Sequence, residues 1–288
     1  MDYLIYGFSK SSKISLTYVV VSEAVKKLEQ LHLSGPTAGR FLAETVAAVA
    51  LTSAELKNDD ERISIQTKVD GPIGGSFSDA SKKGNLRGYT LKKILNEFDD
   101  QKDIQLNCVL GKFGELTFIK SNSKGILSQN TINCDPLDMR HGLARYYNEA
   151  TNQPTAIEIA AISEDYAIKR ASAVKVTKTE PCDSELFISI LEKFNSGLVK
   201  NSISEQLDIT GLSKLLGIED LEIFEHRFLT AKCTCNREKV LYSVSCLSKE
   251  ELNEILEKKE LPEVTCHFCS KSYRVTTEEV ANMLRKIK

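Results

Sequence analysis

Cys233-Thr234-Cys235-Asn236-Arg237-Glu238-Lys239 and Cys266-His267-Phe268-Cys269 set four thiols in two tight pairs, separated by a stretch with a helical apolar pattern. Two cysteine pairs at this separation have the spacing of a four-thiolate metal site. Zn2+ is the default occupant, because it takes tetrahedral sulfur without redox chemistry. Four free cysteines buried as small hydrophobes are chemically acceptable, but that reading leaves the pairing without a reason. The sequence therefore predicts one zinc ion held by Cys233, Cys235, Cys266 and Cys269 in a small C-terminal unit. Such a unit has little core of its own, so bound metal is expected to carry much of its folding free energy.

The remainder of the chain is long enough for at least one further domain, at 288 residues in all with 41% hydrophobic composition. The longest apolar candidate for a membrane span, Phe41 to Leu51, is too short and contains Glu44. Met1-Asp2-Tyr3 opens neither a charged leader nor a signal-peptide hydrophobic stretch, so a cytoplasmic location is expected. Of the eight cysteines, Cys108, Cys134, Cys182 and Cys246 are scattered, which fits a reducing compartment better than a secreted disulfide scaffold. A formal charge of −2 gives no electrostatic case for nucleic acid over the whole chain.

Along the N-terminal part, Ile14, Leu16, Tyr18 and Val20 alternate as in a strand, and Ser22 is placed to cap a helix carrying Val25, Leu28 and Leu31. Gly35-Pro36 breaks the chain before an alanine-rich helix from Thr37 to Leu56. That helix is apolar over most of its circumference and is expected to lie buried against a sheet. Ile63 to Val69 alternates as a strand, Asp70-Gly71-Pro72-Ile73-Gly74-Gly75 reads as a turn, and Gly84 to Tyr89 as a turn entering another strand. Ile104–Leu110 and Leu116–Ile119 are predicted to form a hairpin across Gly111 and Gly114. A helix follows over Leu137–Tyr147, then a second hairpin from Ala156–Ile162 and Tyr166–Val176.

Asp183 or Ser184 opens a helix with Leu186, Ile190, Leu191 and Phe194. The stretch 195–230 then reads as short amphipathic helices, interrupted by Gly211 and Gly217 and ending in Phe224 and Phe228. Faces this apolar must dock on something, most simply the domain core. In the last region Asn236 caps a helix, Ser248-Lys249-Glu250-Glu251 is a capping box, Tyr273-Arg274-Val275 suits a strand, and a final helix carries Val280, Met283, Leu284 and Ile287. The prediction is an α+β protein with three regions: a sheet-and-helix core domain over 1–180, a helical linker over 181–230 and a zinc-binding domain over 231–288.

A zinc already held by four cysteines has no open position for catalysis. His32, His141 and His226 occur in no metalloprotease spacing, His267 reads as a filler of the knuckle, and no nucleophile elbow or phosphate-binding loop is present. No enzymatic activity is expected. The thiolates themselves are the chemistry. Zinc keeps them deprotonated, and Lys232, Arg237, Lys239 and Lys271 add positive charge, conditions that favour attack on oxidants. Each pair is local enough to close a disulfide, which would expel the metal. Structural zinc contributes on the order of 10–16 kcal/mol in small zinc-finger peptides, against about 5–15 kcal/mol for a whole domain, so its loss would unfold the unit. The same argument applies to many zinc modules. A constitutive zinc-ribbon module binding RNA or a protein partner therefore stays open, although Glu250, Glu251, Glu254 and Glu257 interrupt any continuous basic stripe. A thiol-disulfide oxidoreductase using Cys266 and Cys269 would need a thioredoxin-like βαβ context that the flanking residues do not supply.

The chain resembles the heat shock protein 33 family of redox-regulated chaperones from end to end. Met1-Asp2-Tyr3-Leu4, Gly35-Pro36-Thr37-Ala38-Gly39-Arg40, Asp70-Gly71-Pro72-Ile73-Gly74, Gly84-Asn85-Leu86-Arg87-Gly88-Tyr89 and the two cysteine segments carry the resemblance. It departs from the family pattern mainly between Ser121 and Val176, where Ala150-Thr151-Asn152 and Arg170-Ala171-Ser172 replace commoner sequences, and again at Ser248. The resemblance implies an ATP-independent holdase, inactive when reduced and zinc-bound. It further implies that oxidation pairs Cys233 with Cys235 and Cys266 with Cys269, releases zinc, unfolds the C-terminal region and exposes a surface for unfolding client proteins. Active members are typically homodimers.

Overall fold

The computed structural model describes residues 1–101, 106–179, 182–258 and 262–286. The chain divides into two compact units, 1–232 and 233–288. The architecture is α+β, as the sequence predicts.

The first unit begins with strands β1 (Tyr3–Ser9) and β2 (Ile14–Val20) and helices α1 (Ser22–His32) and α2 (Pro36–Thr52). Next come β3 (Arg62–Val69), β4 (Gly75–Ser81), β5 (Asn85–Thr90), the single turns α3 (Asn96–Asp99) and α4 (Asn107–Leu110), β6 (Gly114–Asn122) and β7 (Gly125–Asn133). After α5 (Met139–Arg145) lie β8 (Thr155–Glu164) and β9 (Ala167–Lys178), then α6 (Ser184–Asn195), α7 (Leu198–Ser204), α8 (Ile209–Leu216), β10 (Leu221–Phe228) and β11 (Thr230–Ala231). Among the described residues these strands make two sheets. One has five antiparallel strands in the order β10-β1-β2-β9-β8. The other has six in the order β11-β5-β4-β3-β6-β7, antiparallel except where β11 joins β5.

Helix α2 lies against strands of both sheets. Its small residues explain how: Ala43, Ala47, Ala48 and Ala50 are fully buried along with Phe41, Leu42, Val46, Val49 and Leu51, leaving little room for a solvated face. Strand β2 is buried on both sides, beyond the single buried face that its period-two pattern implies. Val19 joins the core around α2, whereas Ile14, Leu16, Tyr18 and Val20 join a second core capped by Phe187, Ile190 and Phe194 of α6, Val199 and Ile203 of α7, and Leu212 and Leu216 of α8. The apolar faces of 184–216 thus cover one face of the five-stranded sheet. Asp183 and Asp208 start α6 and α8 by accepting the backbone N–H groups of Leu186 and Gly211. Arg170, where the sequence leaves the family pattern, donates to the carbonyl of Ser204 at the end of α7.

Three local expectations are corrected. Residues 221–228 are a strand, not a helix: β10 pairs with β1 in the register Tyr3↔Phe228, and this long-range ladder outweighs a locally ambiguous pattern. The hairpin predicted across Gly111 and Gly114 does not form. Residues 102–105, including Ile104, lie outside the described residues, Asn107–Leu110 is a helical turn, and Leu116–Ile119 pairs with β3 and β7. The reason is Asp70, whose carboxylate accepts the N–H groups of Lys112 and Phe113 while Gly71 and Ile73 donate to Leu110 and Val109, so this segment docks on the 70–75 turn. Finally, Ser22 does not cap α1. Asp2 does, accepting the N–H groups of Glu23 and Ala24 at 3.0 and 2.6 Å.

The second unit holds α9 (Arg237–Ser245), α10 (Lys249–Lys258), β12 (Glu263–Thr265), β13 (Ser272–Arg274) and α11 (Thr277–Lys286). Its helix starts are written locally. Asn236 accepts from Lys239 N–H, Ser248 and Glu251 exchange capping-box bonds at 2.8 and 3.2 Å, and Thr276 and Glu279 do the same at 2.9 and 3.3 Å. Val240, Val244, Leu252, Tyr273, Val275 and Val280 form the buried core. Ile287 lies outside the described residues.

Candidate metal centre

The antiparallel pair β12–β13 is closed by a turn containing Cys266-His267-Phe268-Cys269. Cys266 N–H donates to Lys271 O, and Cys269 and Ser270 N–H donate back to Cys266 O, so the backbone curls around the cysteine sulfurs. Ser270 takes the left-handed conformation that this tight curl needs, with φ 55°. The other two cysteines precede α9. Arg237, in the first turn of α9, donates to the Glu279 carboxylate and the Arg274 carbonyl and so ties the Cys233–Asn236 segment to α11 and the end of β13.

All four predicted residues are brought together. The sulfurs of Cys233, Cys235, Cys266 and Cys269 lie within 4.8 Å of one another, and all four are free thiols. Cys233 Sγ is 3.7 Å from Cys266 Sγ, and Cys235 Sγ is 3.3 Å from Cys269 Sγ. A metal at the centre of a sulfur tetrahedron with bonds of about 2.3 Å separates its ligands by about 3.8 Å. The arrangement is therefore near the size of such a site, and an all-thiolate donor set suits a soft or borderline metal. Cys108 and Cys246 are exposed, Cys134 is buried and Cys182 half-buried, and none belongs to the cluster. His267 supplies none of the clustered ligand atoms.

The thiols differ in acidity. Burial opposes ionisation of Cys235, but the Tyr273 hydroxyl and the other three thiols outweigh it and bring its pKa down to about 7. Burial raises Cys269 to about 12, helped by its hydrogen bonds to the neighbouring thiols, and burial also raises Cys233. Tyr273 is pushed up to about 12, chiefly by its bond with Cys235. A doubly charged cation among these sulfurs would favour the thiolate at every position. Tyr273 was not marked by the cysteine spacing. A buried tyrosine between Ser272 and Arg274, in the strand that returns from the second pair, was the available signal.

Residues 2–276 match the model of the family described as Hsp33 protein. The chain is 25% identical over 293 residues to the 33 kDa chaperonin of Thermodesulfovibrio yellowstonii, covering all of both chains. It is 24% identical over 291 residues to the 33 kDa chaperonin of Staphylococcus aureus, covering 99% of each. The fold is similar to the crystal structure of a 33 kDa chaperonin from Thermotoga maritima, a heat shock protein 33 homologue, with a TM-score of 0.83, 22% identity, and coverage of 99% of this chain and 98% of that one. With its family model matched from the second residue through the second cysteine pair, the chain belongs to the Hsp33 family of chaperones.

Proposed function

We propose that this chain is a redox-regulated, ATP-independent holdase chaperone and not an enzyme. The observation that carries the reading is the cluster of four free thiols within 4.8 Å in a unit with a thin core of its own. In the resting state Cys233, Cys235, Cys266 and Cys269 hold one Zn2+, which supplies a structural crosslink between the two cysteine segments. Hydrogen peroxide then oxidises the thiolates to Cys233–Cys235 and Cys266–Cys269 disulfides. Each thiolate pair passes two electrons to one peroxide as its S–S bond forms, and the peroxide, its O–O bond broken, takes two protons and leaves as two waters. The cross-segment bonds are replaced by bonds within each segment, and the unit loses the link that held its fold.

Release propagates through chain continuity at Lys232–Cys233 to the 181–230 segment, the linker of the switch. Loosening of α6–α8 would uncover Leu16, Tyr18, Val174 and Val176 beneath them, an apolar surface of the kind that holds unfolding client proteins. The active form is a homodimer working in the cytoplasm.

The test is zinc release against peroxide at elevated temperature, with light scattering from an aggregating client read in the same samples. Release and suppression of aggregation rising together, and reversing with reductant, support the switch. Zinc loss without suppression leaves a zinc-stabilised binding module instead.

A further inference from the structure

The face of the five-stranded sheet that packs on α2 changes character along its strands. Under the helix it is apolar, with Leu4, Val19, Ala171 and Ala173 in the core. Where α2 stops at Thr52, the same alternation continues as Ser15 and Thr17 on β2 and Lys175 and Thr177 on β9. All four are more than nine-tenths buried, yet they form the floor of a cleft of about 460 Å³. That volume falls in the range of about 300–1,000 Å³ common to small-molecule sites. The Thr17 hydroxyl has no hydrogen-bond partner among the described residues. A buried hydroxyl left unpaired is destabilising, and a ligand that bonds to it removes the defect. The mouth of the cleft is shaped as well. Tyr6 pairs with Glu225 and Gly7 with Ile223, so Phe224 is the extra residue of a bulge in β10. Its ring stands 6.5 Å from that of Tyr6 at the edge of the cleft, and it is 59% exposed.

We propose that this cleft binds a neutral, polyhydroxylated small molecule, a sugar or a polyol. The charges that line it cancel. Lys175 donates to Glu55 at 2.7 Å, Glu225 accepts from Lys82 and Arg227, and Lys57 stands at the rim. An anion meets the Glu55 and Glu225 carboxylates, and a cation meets the Lys175 and Lys57 ammonium groups. An apolar ligand leaves Thr17 unpaired and buries the floor without partners. A hydroxyl group both donates and accepts, so one ligand of this class satisfies the Thr17 hydroxyl, the Glu55 carboxylate and a remaining N–H of Lys175 together. The C–H face of a sugar or inositol ring then lies on the apolar rings of Phe224 and Tyr6. The site is independent of the thiol cluster and of the redox reading.

The experiment follows amide NMR shifts of the full-length, reduced, zinc-loaded protein. The probes are glucose, maltose and myo-inositol, with inorganic phosphate and spermidine as charged controls. Saturable shifts centred on β2, β9 and β10 are expected with at least one neutral probe. Thr17→Val and Phe224→Ala should each weaken that binding roughly three- to tenfold, the factor of one lost hydrogen bond or ring contact. Thr17→Val should also raise the melting temperature of the free protein, because it removes an unpaired hydroxyl and keeps the shape of the side chain. Phe224→Ala changes an exposed ring and decides the matter if Thr17→Val fails to fold. No saturable shift with the neutral probes at roughly 10 mM, ten times the dissociation constant of a weak site of about 1 mM, overturns the proposal. Saturable binding that Phe224→Ala leaves unchanged lies elsewhere and overturns it too. Tighter binding of phosphate or spermidine at the same residues overturns the ligand class.

Discussion

Lys175 on β9 reaches Glu55 at 2.7 Å, just beyond the end of α2, and its ammonium also sits 4.0 Å from the centroid of the Tyr147 ring. Lys175 is 5% exposed while the Glu55 side chain retains 37% of its exposure, so the two partners depend on each other unequally. Glu55→Ala leaves a buried ammonium without its carboxylate and should destabilise the first unit by about 3 kcal/mol. Lys175→Met leaves a carboxylate that can turn to water, and should cost less than about 1.5 kcal/mol. Urea denaturation of both variants checks the asymmetry, and equal losses would show that Glu55 is not what keeps Lys175 buried.

The Asp2 cap on α1 predicts a stability defect from the extreme end of the chain. Asp2→Ala should lose about 1–2 kcal/mol, with Asp2→Asn recovering a part of it, because an amide oxygen can still accept the N–H groups of Glu23 and Ala24. Thermal unfolding monitored by circular dichroism provides the measurement.

Acid should weaken the fold partly through Glu61. The Lys57 N–H, and after it Lys120 and Asn58, bring its pKa from the ordinary 4.5 to about 2. A carboxylate depressed in the folded state stabilises above its unfolded pKa and loses that contribution as pH falls toward the folded value. Stability should therefore decline between about pH 4.5 and pH 2, and Glu61→Gln should flatten that part of the curve. An unchanged acid limb in the variant would remove Glu61 from the explanation.

Gly84 has φ 80°, and a Cβ there would lie 2.0 Å from the Phe228 carbonyl oxygen. Gly84→Ala should cost about 2–4 kcal/mol, combining left-handed strain with a backbone clash. Amide exchange should show the loss first in β5, β10 and β11, whose chain paths meet at this point.

Stripping metal from the reduced protein, or replacing Cys233 or Cys269 by serine, should abolish protected amides in α9–α11 while those of α2 and β2 persist. Structural zinc contributes on the order of 10 kcal/mol to small units of this kind. Retained protection in the second unit would make the thiol cluster incidental to its fold.

What the sequence determined by itself was local. The capping boxes at Ser248–Glu251 and Thr276–Glu279 operate across three residues, and the burial of α2 follows from alanines repeated around its circumference. The two cysteine pairs mark their own chemistry by spacing. Tertiary structure decided what depends on distant partners. Asp2 reaches α1 only because β1 and β2 bring the chain start back to it, and Leu221–Phe228 becomes a strand only because β1 offers an open edge. Asp70 holds residues 112 and 113 in a loop where local pattern favours a hairpin. Tyr273 reaches Cys235 across thirty-eight residues, because β13 turns back after the second cysteine pair. Hydrogen bonds and caps of this kind are chosen by proximity in the fold, and short-range pattern carries no term for that proximity.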